Sequence, residues 1–183
     1  MHAGIAIIVV AAVVVLLAAW LRIQRRRSLR LRDRFGPEYE RTVRQQGGSS
    51  RRAEEELEKR VQRVENFDLR PLSDSERQHY VERWMEVQRR FVDYPRSAVF
   101  SADDLVTEVM CTEGYPMADF EQRAADISVE HPLLVSNYRV AHAIALRERG
   151  GATDTEELRK AIVHFRFLFE QLIESGSESK EVA

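Results

Sequence analysis

The first part of the chain is continuously apolar and contrasts with everything that follows. From Ile5 to Leu21 there is no charged residue and no proline, so apolar side chains would occupy every face of a helix. A helix at the surface of a globular protein normally keeps one polar face. A helix over this run spans about 25 Å, close to the hydrocarbon thickness of a bilayer. The pattern therefore predicts a transmembrane helix over residues 4–23, after a short tail over residues 1–3.

Arginines crowd the C-terminal edge of this apolar segment. Trp20 lies at the same edge, where an indole ring favours the membrane interface. No basic residue precedes the apolar run, although a cleaved signal peptide needs one there. Positive charge beside a span stays in the cytoplasm, so we expect a single-pass protein of the cell membrane with its N-terminus outside and its C-terminal domain in the cytoplasm. The arginine collar consists of Arg22, Arg25, Arg26, Arg27, Arg30, Arg32 and Arg34.

The collar also changes the expected choice of partner. Residues 22–34 carry a net charge of +6, and the remainder carries −8 to give the total of −2. A nucleic-acid-binding protein spreads positive charge over its folded domain, so we expect no nucleic-acid partner. Anionic lipid head groups are the expected partner of the collar, which also sets the membrane topology.

Helical periodicity and helix-breaking residues divide the rest of the chain into amphipathic segments. A short helix is predicted from Pro37 to about Gln46, and residues 47–50 are expected to form a flexible joint. Together these form a basic stalk over residues 24–50. No stretch alternates between apolar and polar residues as a strand requires, so the fold is predicted to be all-α. Further helices are predicted over 51–67, 73–92, 95–113, 117–129, 132–149 and from 153 to about 174.

Residues 51–174 are predicted to form a soluble bundle of about five or six helices, and residues 175–183 are predicted to form a disordered tail. Two sequences match the capping box that opens a helix, Ser73 with Glu76 and Thr153 with Glu156. The first helix of the bundle has a narrow apolar stripe, formed by Ala53, Leu57, Val61 and Val64. This stripe predicts either a helix packed on its own domain, which we favour, or the seam of a homodimer.

Candidate catalytic or metal-binding groups are few. Glu76 and His79 share one helix face, but a di-iron bundle needs a second such pair and two more glutamates. Asp119, Glu121 and His131 form a local polar cluster that could bind a metal, although helix capping explains the carboxylates equally well. The chain has one cysteine, Cys111, with no base or cation beside it in sequence, so it is predicted to be a small buried residue.

The chain contains none of the common nucleotide-binding, zinc-binding or nucleophile motifs. We therefore expect no enzymatic activity and no cofactor. Charged residues make up 32% of the chain, which favours long solvated helix faces over a thick core.

Two stretches resemble a family of uncharacterised bacterial single-pass membrane-anchored helical proteins. Residues 34–43, just beyond the predicted span, are similar to the family motif FGPEYxRTV. The second stretch comprises Gly114-Tyr115-Pro116, residues 119–126, His131-Pro132, Tyr138-Arg139 and Ala141-His142. The resemblance implies a shared fold and carries no known activity.

The leading hypothesis is a membrane-anchored cytoplasmic module with a protein-interaction or scaffolding role. Its partner is expected at an aromatic surface that includes Trp84, Tyr115 and Phe120. One alternative is a small metal-binding or acid–base enzyme built on Glu76, His79, Asp119, Glu121 and His131. The other alternative is a membrane-surface protein that senses anionic lipid through the collar and the Pro37 helix.

Overall fold

The computed structural model describes residues 2–151 and 153–181, with side chains described from Val15 to Glu174 apart from Ala152. These residues form eight α-helices and no strand, as the missing two-residue alternation predicts. The helices are α1 (His2–Phe35), α2 (Pro37–Gln45), α3 (Ser50–Val64), α4 (Asp74–Asp93), α5 (Pro95–Thr112), α6 (Phe120–Glu130), α7 (Leu134–Arg149) and α8 (Thr155–Glu181). The backbone is thus helical up to Glu181, where the sequence predicts a disordered tail.

In the part of the chain that the structure describes, no helix combines the length and the apolar character needed to cross a membrane. The predicted span, residues 4–23, falls largely outside that part, because the side chains before Val15 are not described.

The chain divides into two compact units. Unit 1 extends to Leu57 and unit 2 begins at Glu58, so the division falls inside α3. The sequence places the corresponding boundary between residues 50 and 51. The difference arises because the first two turns of α3 pack within unit 1 through Ala53 and Leu57, both with no exposed surface.

Unit 1 is built on a sharp reversal of the chain after α1. Gly36 has φ 47° and ψ −123°, a conformation that a Cβ atom disfavours. On either side of it, Phe35 and Tyr39 are almost completely buried. The Glu54 carboxylate on α3 accepts hydrogen bonds from the hydroxyls of Ser28 (2.6 Å) and Tyr39 (2.9 Å). All three helices of the unit are therefore linked through one carboxylate.

The segment between α2 and α3 is a closed turn in the structure. Gly47 and Gly48 both have positive φ, at 65° and 83°, and the Gly48 amide donates to the Val43 carbonyl at 2.9 Å. This bond ends α2 in the manner of a Schellman motif. The expected flexible joint over residues 47–50 thus has a defined conformation.

Unit 2 is a bundle of antiparallel neighbours around one core. The Tyr80 and Thr112 hydroxyls share a hydrogen bond of 2.6 Å, which joins the start of α4 to the end of α5. Arg96 pairs with Glu148 at 3.1 Å, so the start of α5 meets the end of α7. Arg147 pairs with Glu157 at 2.8 Å at the α7–α8 connection. The core lies between α4, α5, α7 and α8, with α6 against α7.

The apolar stripe of α3 is covered within the chain. Ala53 and Leu57 are buried in unit 1, and Val64 is buried in unit 2. At the end of α3, Arg63 donates from Nε and Nη2 to Oδ1 of the buried Asp126 at 2.8 and 2.6 Å. The two ends of the stripe therefore pack within different units, Val61 between them is half-buried, and the homodimer seam stays a prediction.

The two predicted capping boxes have different outcomes. At α4 the box forms, because the Glu76 amide donates to Ser73 Oγ and the Ser73 amide donates to the Glu76 carboxylate. At α8 the prediction is wrong by one residue, since the Glu157 amide donates to Asp154 Oδ1 at 2.7 Å. Asp154 directly precedes the helix, whereas the Thr153 side chain points inward and its Oγ1 is buried without a hydrogen-bond partner.

Gly114 ends α5 and lets another part of the chain cross close to the helix end. Its φ is +104°, and a Cβ atom placed there would lie 2.3 Å from the Asp68 carbonyl oxygen. The Arg70 amide donates to the Glu113 carbonyl at 2.9 Å in the same crossing. The connection between α3 and α4 is thereby fixed against the end of α5.

We expect Gly114→Ala to lower the free energy of unfolding by roughly 2–4 kcal/mol, because it combines backbone strain with a backbone clash. Gly151→Ala is the matched control, since Gly151 has φ +69° and open space around it. That control should cost only about 1 kcal/mol. Urea unfolding followed by circular dichroism measures both, and equal costs would contradict the role of the close crossing.

Candidate functional site

The candidate metal ligands of α4 serve structural roles. Glu76 caps its own helix and also binds the Arg70 guanidinium through two hydrogen bonds of 2.9 and 2.7 Å. The Arg70 guanidinium and the Ser73 amide and hydroxyl hold the pKa of the Glu76 carboxyl far below its usual range. His79 is exposed and its ring lies beside Tyr80, with 5.6 Å between the ring centroids. The Glu76 carboxylate is therefore engaged by Arg70 and Ser73, and no contact joins it to His79 among the described residues.

The candidate metal ligands around α6 are likewise separate from one another, and the two carboxylates are engaged in local contacts. Asp119 caps α6 by accepting from the Gln122 amide at 2.9 Å. Glu121 accepts from Arg139 on α7 at 2.7 Å. His131 follows α6, and burial lowers the pKa of its imidazole. Across the described residues, no three His, Cys, Asp or Glu side chains come close enough together to hold a metal ion.

The aromatic residues expected at a partner surface lie mainly inside unit 2. Trp84 is 5% exposed and stacks on Phe169 with 4.9 Å between centroids. Tyr115 is 6% exposed, and Phe120 is half-buried against α7. The wide aromatic face of α4 is a core face, so this burial argues against Trp84 and Tyr115 as contact residues.

Sequence reasoning missed a buried pair of titratable residues between α5 and α7. The His142 Nδ1 atom lies 3.1 Å from Asp103 Oδ2, and the two residues are 9% and 6% exposed. The Phe120 ring from the start of α6 stacks on the imidazole with 3.7 Å between centroids. No spacing in the sequence connects the two residues, which lie 39 positions apart.

An aspartate–histidine pair can orient an imidazole to activate a side-chain nucleophile, which must then lie within hydrogen-bond reach of it. On α5, Thr107 Oγ1 donates to the Asp103 carbonyl at 2.9 Å. On α7, the Tyr138 hydroxyl accepts from Arg123 Nε at 3.3 Å, and Arg123 also donates to the Ala118 carbonyl. Both hydroxyls are thus engaged in bonds that join helices or close turns. The geometry supports an interhelical polar contact.

A shallow cleft of about 190 Å³ lies between α4 and α5. Its two arginines are already paired with carboxylates, Arg83 with Glu108 at 2.6 Å and Arg90 with Glu86 at 3.1 Å. The cleft therefore offers little uncompensated charge to a ligand.

Cys111 is half-buried near the end of α5. Its Sγ lies 2.8 Å from the thioether sulfur of Met117, and burial raises the pKa of the thiol. A raised pKa disfavours the nucleophilic thiolate, in agreement with the structural role expected from sequence.

Glu113, at the end of α5, has a carboxyl group with a strongly raised pKa. It is 7% exposed, and its burial raises the pKa to about 8, although the nearby Arg70 acts in the opposite direction. The same burial and the Glu113 charge raise the pKa of the Tyr115 hydroxyl beyond its usual range. Burial therefore favours the protonated form of this carboxyl group in the folded protein.

The predicted membrane-surface residues all lie on the C-terminal half of α1. All seven arginines of the collar are exposed on α1. They follow directly on exposed apolar side chains, among them Trp20 at 56% and Ile23 at 65%. Three collar arginines have partners among the described residues: Arg27, Arg34 and Arg32, which lies 3.7 Å from Glu40 and 5.0 Å from the centroid of the Tyr39 ring.

No protein-family model, no curated protein and no solved structure matches this chain. The functional assignment therefore depends on the residues and their geometry alone.

We expect Asp103→Ala to lower the free energy of unfolding by about 2–3 kcal/mol, because it leaves the buried His142 Nδ1 without its partner. Asp104→Ala is the matched control, since Asp104 is the adjacent exposed aspartate. That control should change stability by no more than about 0.5 kcal/mol. Thermal or urea unfolding distinguishes the two, and similar values for both variants would show that the pair contributes little.

Glu113 should make unit 2 less stable as the pH rises. Its carboxyl group has a pKa of about 8 in the folded protein against 4.5 ordinarily, so the folded state retains a proton that the unfolded chain releases. The contribution of Glu113 to the free energy of unfolding is therefore at its maximum below pH 4.5. It decreases between pH 4.5 and about pH 8, and is constant above that. Glu113→Gln should remove that slope and stabilise the protein at pH 8.

Urea unfolding at several pH values between 5 and 9 measures the slope for both proteins. Glu65→Gln serves as the control, because Glu65 is exposed. A wild-type stability that is flat over this range, or a Glu65 variant that behaves like the Glu113 variant, would contradict the assignment.

Proposed function

We propose that this protein is a single-pass membrane protein that holds a helical protein-binding domain at the cytoplasmic surface. The observation that carries the proposal is the uninterrupted helix α1, whose exposed apolar residues lead directly into the arginine collar. An anchor of this kind needs one helix to pass from hydrocarbon to water without a break. The collar then supplies the positive charge that orients the span.

The exposure of the apolar residues of α1 supports the anchor. Val15, Leu16 and Trp20 are 66%, 68% and 56% exposed, and Leu21 and Ile23 continue the same surface. Water-exposed apolar surface of this extent marks a site that contacts lipid or another protein. Because the apolar positions surround the helix, a bilayer fits them better than a partner that covers one face.

The FGPEYxRTV resemblance is consistent with this proposal. Phe35, Tyr39 and Thr42 are buried, and Gly36 adopts the backbone conformation that reverses the chain. The motif residues thus form the base on which α2 and α3 pack against α1. We propose that the resemblance reflects a shared way of leaving the membrane, with unit 1 folded at the end of the span.

For the partner surface we propose the outer face of α7 and α8, in place of the buried aromatic residues. Leu133, which directly precedes α7, and Val140 on α7 are 67% and 45% exposed, and Val163 and Phe167 on α8 are 47% and 44% exposed. These two helices pack as an antiparallel pair, with His164 Nδ1 and Asn137 Oδ1 2.9 Å apart at their contact. An apolar helix of another protein is the partner that such a face fits best.

A photo-crosslinking residue at Val163 in the full chain, expressed in cells, should give a discrete crosslinked product. Arg89 is the control position, since it is 76% exposed on α4, away from this face. The product should appear from position 163 and be absent from position 89. Adding the substitutions Val140→Glu and Phe167→Glu should remove it, because they place charge on the apolar face.

The same cells test the anchor. A fluorescent reporter that matures only in the cytoplasm, fused to the C-terminus, should fluoresce and remain in the membrane fraction after carbonate extraction. A protein released by carbonate would contradict the anchor. Equal crosslinking from both positions, or none from position 163, would contradict the proposed partner surface.

A further inference from the structure

The packing of unit 1 determines which collar arginines face away from the protein. The side of α1 that α2 and α3 cover includes Ser28, Leu31 and Phe35, with Leu31 7% and Phe35 0% exposed. On a helix, residues three and four apart lie on one face. The opposite face is therefore left open along the whole collar.

Arg22, Arg26 and Arg30 occupy that open face at intervals of four residues. All three side chains are exposed, and no described residue forms an ion pair with them. Three of the other collar residues differ in this respect, since Arg32 contacts Glu40 and Tyr39, and Arg27 and Arg34 also have partners within the chain. Arg25 is also exposed, but it lies about 100° round the helix from Arg26 and so outside this line. We call Arg22, Arg26 and Arg30 the arginine row.

The row begins where the apolar surface of α1 ends. Arg22 lies between the exposed apolar residues Leu21 and Ile23, which are 51% and 65% exposed. Arg30 is about 12 Å further along the helix axis. With α1 anchored as proposed, the row extends through the head-group layer. Lipid phosphates then lie within reach of the arginine side chains, and the whole row lies within about one Debye length of the membrane surface.

We infer that the arginine row binds the phosphate groups of anionic phospholipids in the leaflet from which α1 emerges. The inference rests on the proposed function, because the anchor is what brings the row to the lipid. A guanidinium group binds phosphate with two parallel hydrogen bonds, and three at one helix face can contact neighbouring head groups. The net charge of unit 1 has the same sign, with eleven arginines against six carboxylates.

The hydrogen bonds of unit 1 give the row a fixed direction. Ser28 on α1 and Tyr39 on α2 both donate to the Glu54 carboxylate of α3. The row thus belongs to a folded unit, and its arginines are held on one side before any lipid binds. Such preorganisation lowers the entropic cost of binding compared with a flexible basic tail.

Trp20 provides a built-in reporter for the lipids that surround α1 at the level where the row begins. The chain has two tryptophans, and Trp84→Phe removes the other. The full-length Trp84→Phe protein is reconstituted in phosphatidylcholine vesicles that contain an equal fraction of brominated phosphatidylglycerol or brominated phosphatidylcholine. Bromine quenches a nearby indole, so the ratio of quenching gives the relative affinity of the two lipids for the surface of α1.

We expect brominated phosphatidylglycerol to be preferred about fivefold at low salt, and the preference to shrink as salt rises. Arg22→Gln, Arg26→Gln and Arg30→Gln combined should abolish the preference. The matched control combines Arg27→Gln, Arg32→Gln and Arg34→Gln, which removes the same charge and should retain most of it. Inorganic phosphate, compared with chloride at equal ionic strength, should leave the preference unchanged.

Each outcome tests a separate statement. Equal quenching by both lipids overturns the lipid selectivity and leaves the anchor intact. No quenching of Trp20 by either brominated lipid overturns the anchor itself. An equal loss of lipid preference in both triple variants overturns the assignment to the row, because the total positive charge of the collar would then explain the preference. A preference abolished by inorganic phosphate overturns the choice of lipid as the ligand.

Discussion

Unit 2 depends on the absence of a side chain at residue 114. With only a hydrogen atom there, the Asp68 carbonyl oxygen comes within 2.3 Å of where a Cβ atom would stand. That approach lets the connection between α3 and α4 cross the end of α5, where the Arg70 amide reaches the Glu113 carbonyl. Glu113 lies at this crossing and is almost fully buried, and that burial raises the pKa of its carboxyl group. One backbone constraint thus affects both the path of the chain and the acidity of the neighbouring side chain.

Unit 1 is organised around a carboxylate in a similar way. Glu54 accepts from Ser28 and Tyr39, so hydroxyl groups of two helices meet on an acceptor of the third. Apolar burial of Phe35 and Leu57 surrounds this contact. Because the unit is small, hydrogen bonds that each join two helices matter more to its geometry than they would in a large core.

Most of the helical organisation could be predicted from sequence, because its signals are local. The proline at the start of α5, the glycine after it and the capping box of α4 all act within one helical turn. The α8 cap was misplaced by one residue because Thr153 and Asp154 both suit the position, and only packing shows that Thr153 points inward. Where two residues are equally suited locally, the tertiary fold decides.

The candidate site was less predictable for the same reason. The arginine collar could be recognised because its residues are adjacent in sequence, but the division into an open row and a locally engaged set follows from how α2 and α3 pack. The Asp103–His142 pair joins residues 39 apart, and no spacing rule connects them. The sequence predicted Trp84 at a partner surface, but the structure packs it against Phe169. An amphipathic stripe identifies the apolar face of a helix and does not show whether that face packs in the core or against a partner.

The placement of Cys111 has a consequence for redox chemistry. It is the chain's single cysteine, and its thiol is kept protonated by burial beside the Met117 thioether. Disulfide exchange and oxidation to sulfenic acid both proceed through the thiolate. Burial of Cys111 therefore disfavours both reactions at this thiol, compared with a fully exposed cysteine.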